Sequence, residues 1–517
     1  MDAGLVTASG QVGLPRQDPM VVIVGGGIAG VSAARHLINR GVQQVLILEA
    51  KDRLGGRIHT VTGDSGNVDY GAQYIHGQDE NPLYQLALQH DLIVSPSSKL
   101  KDTTNKSITA ELYGNEFRTD NGDLVPKNTV RDVNEVLEEA YEKCNCCLDN
   151  ASTNKSIGHH FETRFEDYLQ SCADSENDVI TKRGVFDWRI RWELHDNSCL
   201  SLFDATNGSY QNNSGDYFID VRGGFQSIFH SLLNDIPPEC VRAGTPVSRI
   251  HWRGEENSGR SRKCTVETKH GGNVNCYYVI VTVPLGVLQT NINTLFCPTL
   301  PQSKKEALCR RGFGSVVKIF LTWTEPFWES SFEGTQFVWT CSADKSKDTL
   351  PKNTLTKKNG DPWWRDIDGF HVLKENPRTL LGWMGGEGAI LTEDLSEEEI
   401  LHTCHLLLQQ FAPHLKIPKP QAIKRTQWLS DEYTKGAFSY ISTYNEPGDT
   451  EEMVKPLPSE EDPTLLFAGE AMSHHHFSTT HGAYETGIQA ANIILQNEAK
   501  KNRTQNDMSK FNVLEYI

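Results

Sequence analysis

The stretch FAGEAMSHHHFSTTHG, from Phe467 to Gly482, contains four histidines within eight positions. The carboxylate of Glu470 and four hydroxyl side chains lie beside them. Imidazole and carboxylate groups are common protein ligands of Zn²⁺. The stretch therefore indicates either a metal site or a loop in which the histidines hold no common ligand.

The cysteines are a second candidate for metal binding. Cys144, Cys146 and Cys147 form a C-x-x-C pattern in KCNCCLD. A structural zinc site needs a second ligand pair not far along the chain, and only Cys172 follows. We therefore interpret these cysteines as loop thiols or disulfides, and the redox compartment stays open.

Lys318 is a charged residue in an otherwise apolar sequence. It lies in SVVKIFLTW, which has the composition of a buried strand. Lysine is rarely buried without a partner, so Lys318 is predicted to have a functional role rather than a packing role. His76, taken alone, fits an ordinary structural side chain.

The length and net charge of the chain limit the classes of partner that it could bind. The chain has 517 residues and a formal net charge of -17, which disfavours nucleic acid and suits a small cationic ligand. No run of 18 apolar residues occurs, so no membrane span is predicted. The N-terminus lacks the features of a secretory signal, which favours a cytoplasmic location. Twelve cysteines and six sequons keep a secreted form as the alternative; the sequons are at Asn105, Asn150, Asn154, Asn207, Asn212 and Asn502.

The segment VVIVGGGIAGVSAARHLINRG places Gly25, Gly27 and Gly30 at G-x-G-x-x-G spacing. A predicted strand precedes the glycines, a helix is predicted over 28–39, and a second strand ends on Glu49. In such a unit Gly25 permits a tight turn, Gly27 lets the backbone approach a pyrophosphate, and Gly30 lets the helix pack on the strand. The helix N-terminus attracts the phosphates, and Glu49 would bind a ribose. Since Glu49 repels a 2′-phosphate, the pattern predicts a dinucleotide other than NADP.

The following segment, EAKDRLGGRIHT, resembles the second glycine motif of the flavin amine oxidases, E-A-x-x-R-x-G-G-R, with Arg57 at the position that contacts FAD. Four further segments are similar to the family in order along the chain: TPVSRIHW, VIVTVPLGVL, LLGWMGGEGA and LLFAGEAMSHHHFSTTHGAYETGIQAAN. The resemblance implies non-covalent FAD, and the implied cofactor-binding residues are Gly25, Gly27, Gly30, Glu49, Gly56, Arg57, Gln73, Tyr74, Val247, Trp428, Glu470, Thr479 and Thr480. Gly482 and Gly487 would open a helix near the pyrophosphate or the ring.

The resemblance also implies a fold of α/β plus α+β type. An FAD-binding Rossmann-like domain of the glutathione-reductase type would carry an inserted substrate-binding domain of mixed sheet and helices. The expected FAD-binding segments are 19–92, 235–300 and 445–498, and the expected substrate-binding segments are 93–234 and 301–444. Residues 1–18 are expected to be a flexible N-terminus and residues 499–517 a polar tail.

Two shorter predictions concern the second domain. In LSEEEILHTCHLLLQQFAP, Ser396 and Glu399 form a capping box before an apolar 3.6-residue period, which predicts a core helix. The segment SKDTLPKNTLTKKNGDPWWRD, residues 346–366, is predicted to be a solvated loop.

Within the family, the animal polyamine oxidases match best. VDYGAQYIHGQDENPLYQLA resembles their G-A-x-W-I-H-G pattern, SVVKIFLTWTEPFW resembles the segment whose lysine holds a water against flavin N5, and FSTTHGA matches S-T-T-H-G-A. The implied catalytic residues are Lys318 and His76, and the implied substrate-binding residues are Phe438, Tyr440, Ser478 and Thr479. GAFSY departs from the usual G-S-Y-S-Y, so Phe438 replaces a tyrosine hydroxyl near the substrate.

The implied reaction is oxidation of spermine, N-acetylspermine or spermidine at a carbon next to a secondary amine. Hydride would pass to flavin N5, water would hydrolyse the imine to an aldehyde and a shorter amine, and O2 would reoxidise the flavin to give H2O2. The amine must first lose its proton, and His76 would orient it or relay that proton. The alternatives are an oxidase of L-amino acids or methyl-lysine and a flavin-fold protein without catalysis. His474, His475 and His476 are interpreted as loop residues, with no metal, and the oligomeric state stays open.

Overall fold

The computed structural model describes residues 19–63, 66–94, 116–146, 156–206, 218–253, 264–341, 350–351 and 354–514. The expected flexible N-terminus lies outside these ranges, as do five of the six sequons (Asn105, Asn150, Asn154, Asn207 and Asn212), Cys147 and the side chains of Cys144 and Cys146. Over these ranges, no helix is long and apolar enough to cross a membrane. Nine cysteines in the same part of the chain are free thiols.

A five-stranded parallel sheet forms the centre of the first layer. Its order is β21 (Leu465–Phe467), β12 (Tyr278–Val281), β1 (Val21–Val24), β2 (Val45–Leu48) and β8 (Val241–Arg242). Every residue of the three central strands is buried, which explains why their sequences are continuous Val/Ile/Leu runs rather than alternating patterns. Three separated parts of the chain therefore build one sheet.

Two helices cross on one face of this sheet. They are α1 (Ile28–Asn39), which has the predicted bounds, and α12 (Thr480–Leu514). A Cβ atom at Gly487 would lie 2.2 Å from the carbonyl oxygen of Ala29, so glycine lets the two helices approach closely. Gly482 and Gly487 both lie inside α12, and this helix continues to Leu514, through most of the segment expected to be a polar tail.

A four-stranded sheet covers the other face, with the order β11 (Asn273–Cys276), β10 (Cys264–Thr268), β9 (Val247–His251) and β13 (Phe296–Cys297). Its apolar side packs with β1, β2 and β12 in one core. Three short helices border this core: α7 (Leu285–Thr290), α8 (Gln302–Arg310) and α11 (Asp449–Val454). The first layer is thus a sandwich of helices, parallel sheet and small antiparallel sheet.

The second layer is built on a six-stranded sheet. Its order is β19 (Ala422–Arg425), β15 (Val317–Thr322), β18 (Asn376–Met384), β17 (Gly369–Leu373), β16 (Gly334–Val338) and β6 (Glu116–Thr119), antiparallel except for the last pair. Five helices pack around it: α3 (Lys127–Cys146), α4 (Ile157–Ser171), α5 (Glu176–Asp196), α9 (Gly386–Thr392) and α10 (Glu397–Phe411). The capping box predicted at Ser396 and Glu399 is present, and the apolar face of α10 is buried.

Three two-stranded ribbons and two helices complete the described fold. The ribbons pair β3 (Thr60–Gly63) with β4 (Gly66–Asp69), β5 (Tyr74–Ile75) with β7 (Ile219–Asp220), and β14 (Gly312–Phe313) with β20 (Ser439–Tyr440). The helices are α2 (Pro82–Gln89) and α6 (Gln226–Leu233). Residues of α6 pack in the core of α1 and the parallel sheet, although the expected boundary puts 93–234 in the other domain; the division into domains stays a prediction.

Candidate active site

One cavity of about 660 Å³ lies between the two layers. The loop after β1, the end of β2, and residues of β15 and β18 all line it. It brings together every residue predicted for the site except Gly30: Gly25, Gly27, Glu49, Gly56, Arg57, Gln73, Tyr74, His76, Val247, Lys318, Trp428, Phe438, Tyr440, Glu470, Ser478, Thr479 and Thr480. Residues predicted from six separate stretches of sequence therefore meet at one place.

The glycine loop after β1 has the geometry that its spacing predicts. Gly25 has φ +116°, a conformation that L side chains rarely adopt. A Cβ atom at Gly30 would lie 2.0 Å from the carbonyl oxygen of Gly25, so α1 packs directly on the turn. At Gly27 the nearest protein atom would be 3.9 Å away, because this residue faces the cavity. Space for a ligand exists only at the second glycine.

Glu49 lies at the end of β2, at the rim of the same loop, and is buried. One carboxylate oxygen accepts a hydrogen bond from the N–H of Gly26 at 2.7 Å, and the other accepts one from the N–H of Lys51 at 2.8 Å. Two backbone groups thus fix the orientation of the carboxylate, and each oxygen keeps a lone pair for a ligand hydroxyl.

Glu470 joins the second glycine motif, the β20 strand and the loop that contains Ser478. Its carboxylate accepts hydrogen bonds from Arg57 Nη1 at 2.9 Å, from Ser439 Oγ at 2.6 Å and from the N–H of Ser478 at 2.9 Å. Arg57 Nη1 also donates to the carbonyl of Ala437 at 2.8 Å. Glu470 therefore positions Arg57 and the Ser478 loop, in addition to lining the cavity.

The hydroxyls of Ser478 and Thr479 are both engaged by protein groups. Ser478 has φ +68° and its hydroxyl donates to the carbonyl of Ser439. The Thr479 hydroxyl donates to the carbonyl of His476 at 2.7 Å and accepts from the N–H of Gly482 at 3.0 Å, just before α12 begins. These contacts show that both residues order the start of α12; a contact with substrate or cofactor stays a prediction.

Lys318 projects from β15 into the cavity wall and is 3% exposed. Its ammonium nitrogen donates at 2.8 Å to three acceptors, namely the carbonyls of Asp69 and Gly71 and the side-chain oxygen of Gln73. The nitrogen also lies 4.4 Å from the ring centroid of Trp383, its cross-strand neighbour. Burial lowers the pKa of Lys318 to about 7, and the charge of Asp69 opposes this, so both protonation states are accessible near neutral pH.

Aromatic rings form much of the remaining wall. Phe438 and Trp428 pack together, and Tyr440 lies over Gly312, where a Cβ atom would come within 2.4 Å of the Tyr440 ring. Burial raises the pKa of Tyr440 to about 12, so its hydroxyl stays protonated. Tyr74 stands edge-on to Phe218 at 5.4 Å. A largely apolar wall of this kind disfavours a charged ligand nitrogen and favours the neutral amine.

The cavity is also lined by polar residues that the motifs did not indicate, His195 and Asp196. His195 stacks on Trp383 with centroids 5.6 Å apart, and its Nε2 atom forms a hydrogen bond of 2.9 Å with the Asp368 carboxylate. Asp196, the last residue of α5, is exposed to the cavity. Sequence reasoning did not single out His195 or Asp196, since neither residue lies in a segment that matches a family motif.

A family model described as flavin containing amine oxidoreductase matches residues 28–495. The chain belongs to this family. This amine oxidase is 30% identical to a human protein named peroxisomal N(1)-acetyl-spermine/spermidine oxidase, an alignment that covers 94% of this chain and 97% of the human protein. It is 27% identical to polyamine oxidase 1 of rice, Oryza sativa subsp. japonica, over 92% of this chain and 97% of the rice protein.

The fold of the amine oxidase matches that of a solved structure. A double mutant of putrescine oxidase, redesigned in its cofactor binding, superposes with a TM-score of 0.63 at 18% identity, over 92% of this chain and 98% of the other. The predicted class, a flavoprotein fold that mixes a parallel sheet with helices and a second mixed sheet, is confirmed.

The cofactor of this amine oxidase is FAD, and the cavity fits it. The open space at Gly27 would admit a pyrophosphate, and the fixed carboxylate of Glu49 would accept hydrogen bonds from a ribose. Val247 lines the same cavity. Within the described residues, no cysteine lines the cavity; non-covalent binding stays a prediction.

The histidines beside this site are not arranged as metal ligands. Over the described ranges, no group of three or more histidine, cysteine, aspartate or glutamate side chains could hold a metal ion. His474, His475 and His476 lie in a loop, as predicted. His481 differs from them, because it lies in the first turn of α12 and is 2% exposed.

Proposed function

We propose that this amine oxidase acts on polyamines, oxidising a carbon next to a secondary amine. The observation that carries the proposal is the pairing of an apolar, aromatic cavity around Lys318 with a carboxylate, Asp196, exposed to the same cavity. A long substrate with several nitrogens fits such a cavity, since one nitrogen can be neutral beside the aromatic wall while another stays charged beside the carboxylate. The name of the human relative supports the same substrate class.

Asp196 lies where the fold itself disfavours a negative charge. It ends helix α5, and carbonyl groups at a helix C-terminus repel an anion. Burial raises the pKa of Asp196, His195 and Arg189 oppose the rise, and Glu138 adds to it. A carboxylate with a perturbed pKa in a cleft is a candidate for binding a ligand cation.

The reacting nitrogen must be deprotonated before oxidation. A secondary amine with a lysine-like pKa of about 10 needs roughly 4 kcal/mol to become neutral at pH 7. The aromatic wall lowers this requirement by desolvating the cation. His76 lines the cavity and would accept the proton. All three N–H groups of Lys318 are engaged by protein acceptors, so Lys318 would hold a water close to the reacting carbon by exchanging one of these acceptors for it. When bound, FAD supplies the two-electron oxidation and its reoxidation by O2 gives H2O2.

The proposal is tested by mixing the yellow, purified protein anaerobically with spermine, N-acetylspermine and spermidine in separate experiments. Fast loss of flavin absorbance with one of them, followed by peroxide when air is admitted, is the expected result. If no polyamine bleaches the flavin while an L-amino acid or a methyl-lysine peptide does, the substrate class is wrong. If no amine bleaches it, the protein is a flavin-binding protein without this catalysis.

Asp196→Asn is expected to raise KM for spermine by at least about tenfold with little change in kcat, because the substitution removes the charge that binds a distal ammonium. KM for a secondary monoamine, which has no distal ammonium, is expected to stay within about twofold. Initial-rate measurements on both substrates check this. Asp187→Asn is the matched control: Asp187 lies on the same helix, pairs with Arg191 at 3.1 Å and does not line the cavity. Equal effects on both substrates would contradict the assignment.

A further inference from the structure

A line of ionisable side chains leads from the cavity to the protein surface. His76 lines the cavity, and His481 is 2% exposed in the first turn of α12, directly after the cavity-lining residues Thr479 and Thr480. The side chains of His476 and Glu485 follow, with 19% and 29% of their surface exposed. Exposure increases from the buried imidazole to the partly exposed carboxylate, as expected for a path between an enclosed site and solvent.

Three members of this line, His481, His476 and Glu485, contact one another in sequence. The rings of His476 and His481 have centroids 4.6 Å apart at an interplanar angle of 52°. Nδ1 of His476 and a carboxylate oxygen of Glu485 are 2.9 Å apart, at hydrogen-bond distance. His481 Nε2 is buried and has no hydrogen-bond partner among the described residues. A buried polar atom of this kind needs an explanation, such as a bound water or a role in proton transfer.

His481 remains neutral in this position. Burial lowers its pKa to about 3, and the charges of His476 and His76 lower it further. These two side chains are the titratable groups that act on His481, and Glu485 acts on His476. A neutral imidazole can take a proton on one nitrogen and release one from the other, whereas a stable cation would hold the proton.

We propose that His481 and His476 conduct the substrate proton from His76 to Glu485 and the solvent. The proposal rests on the polyamine oxidase function proposed above. The substrate ammonium loses one proton to His76, and each histidine then accepts a proton on one ring nitrogen and releases one from the other. No electrons move along this path, and one proton reaches water for each ammonium deprotonated. His481 and His476 act through His76 and are positioning and relay residues rather than catalytic residues.

The test follows proton release and flavin absorbance together. The holoenzyme is mixed anaerobically with spermine in weakly buffered solution containing a pH indicator. In the wild type we expect one proton to appear no later than the loss of flavin absorbance. His481→Phe, which keeps a ring in the buried position, is expected to slow both signals by about tenfold or more at pH 7. The two signals should recover toward pH 10, where the amine enters already neutral.

Three further variants separate a relay from a packing effect. His476→Gln removes a half-exposed relay member and should slow both signals in the same direction, whereas His475→Gln, the same substitution at the adjacent exposed loop position, should not. In His481→Ala, added imidazole should restore part of the rate, because a small base can replace the missing ring.

The outcomes distinguish the two proposals. If the wild type is not bleached by any polyamine, the proposed function and the relay both fail. If the wild type is bleached but His481→Phe and His476→Gln release protons at the wild-type rate, the relay alone fails. An effect of these variants that is equal at all pH values and is not reversed by imidazole would also overturn the relay in favour of a structural role.

Discussion

Lys318→Met will slow amine oxidation by on the order of 10²–10⁴-fold at pH 7, because it removes a buried amine that lines the cavity beside Trp383. Its nitrogen is held by three acceptors of the segment 69–73 and by the face of Trp383. These contacts fix the orientation of the amine. Methionine has a similar length but no N–H, so the substitution removes the hydrogen-bond donor and keeps most of the side-chain volume. Stopped-flow measurement of flavin bleaching by spermine checks this.

Lys304 provides a matched control within the same chain. It is also fully buried, its ammonium donates to the carbonyls of Glu452 and Met453, and burial lowers its pKa to about 8. It does not line the cavity. Lys304→Met should therefore lower the free energy of unfolding, because two buried carbonyls lose their donor, and leave the bleaching rate nearly unchanged. Similar rate losses in the two variants would mean that Lys318 acts through stability alone.

The dinucleotide-binding part was the most predictable part of this molecule. Its information is local: the helix over 28–39 and the second strand follow from continuous apolar runs and a turn that only glycine accommodates. The strand, predicted to end on Glu49, ends one residue earlier, at Leu48. The capping box at Ser396 and Glu399 is local in the same sense. Each of these features depends on residues within one or two turns of chain, which is the range over which periodicity and caps have meaning.

The wall of the substrate cavity could not be predicted in this way. Lys318 meets acceptors about 250 positions earlier in the chain, Arg57 meets the carbonyl of Ala437, and Asp196 faces the cavity only because α5 ends there. No local pattern encodes such contacts. The resemblance supplied Lys318 and Arg57 because they lie in motifs, but it could not supply Asp196, which lies in none.

One local prediction was wrong for an informative reason. Residues 346–366 were predicted to be a solvated loop from their lysines, asparagines, glycine and prolines, yet Trp363 and Trp364 are each 1% exposed in the core of the second layer. The burial of two adjacent large aromatic side chains outweighs the polarity of the residues that precede them in the chain. The residues 346–349 and 352–353 lie outside the described part of the chain.

Gly27→Ala will weaken FAD binding by on the order of 10²-fold, while the apoprotein remains as stable as the wild-type apoprotein. The added methyl group meets no protein atom closer than 3.9 Å, and the φ of −77° suits alanine. The methyl group instead occupies cavity space that a pyrophosphate needs, and such intrusion costs up to about 3 kcal/mol. Flavin content after gel filtration and titration of the apoprotein with FAD check the expectation.

Two other glycines define what this result means. A Cβ atom at Gly30 would lie 2.0 Å from the carbonyl of Gly25, so Gly30→Ala should destabilise the apoprotein itself. At Gly63 a Cβ atom would meet no atom nearer than 4.0 Å, and this residue does not line the cavity. Gly63→Ala should therefore change neither FAD affinity nor apoprotein stability. Loss of FAD at Gly27 without loss of apoprotein stability can arise only where the ligand, not the fold, requires glycine. Unchanged FAD affinity in Gly27→Ala would mean that the pyrophosphate lies away from this turn. It would also remove the reason for assigning Glu49 to the ribose. Both assignments depend on the cofactor approaching the N-terminus of α1.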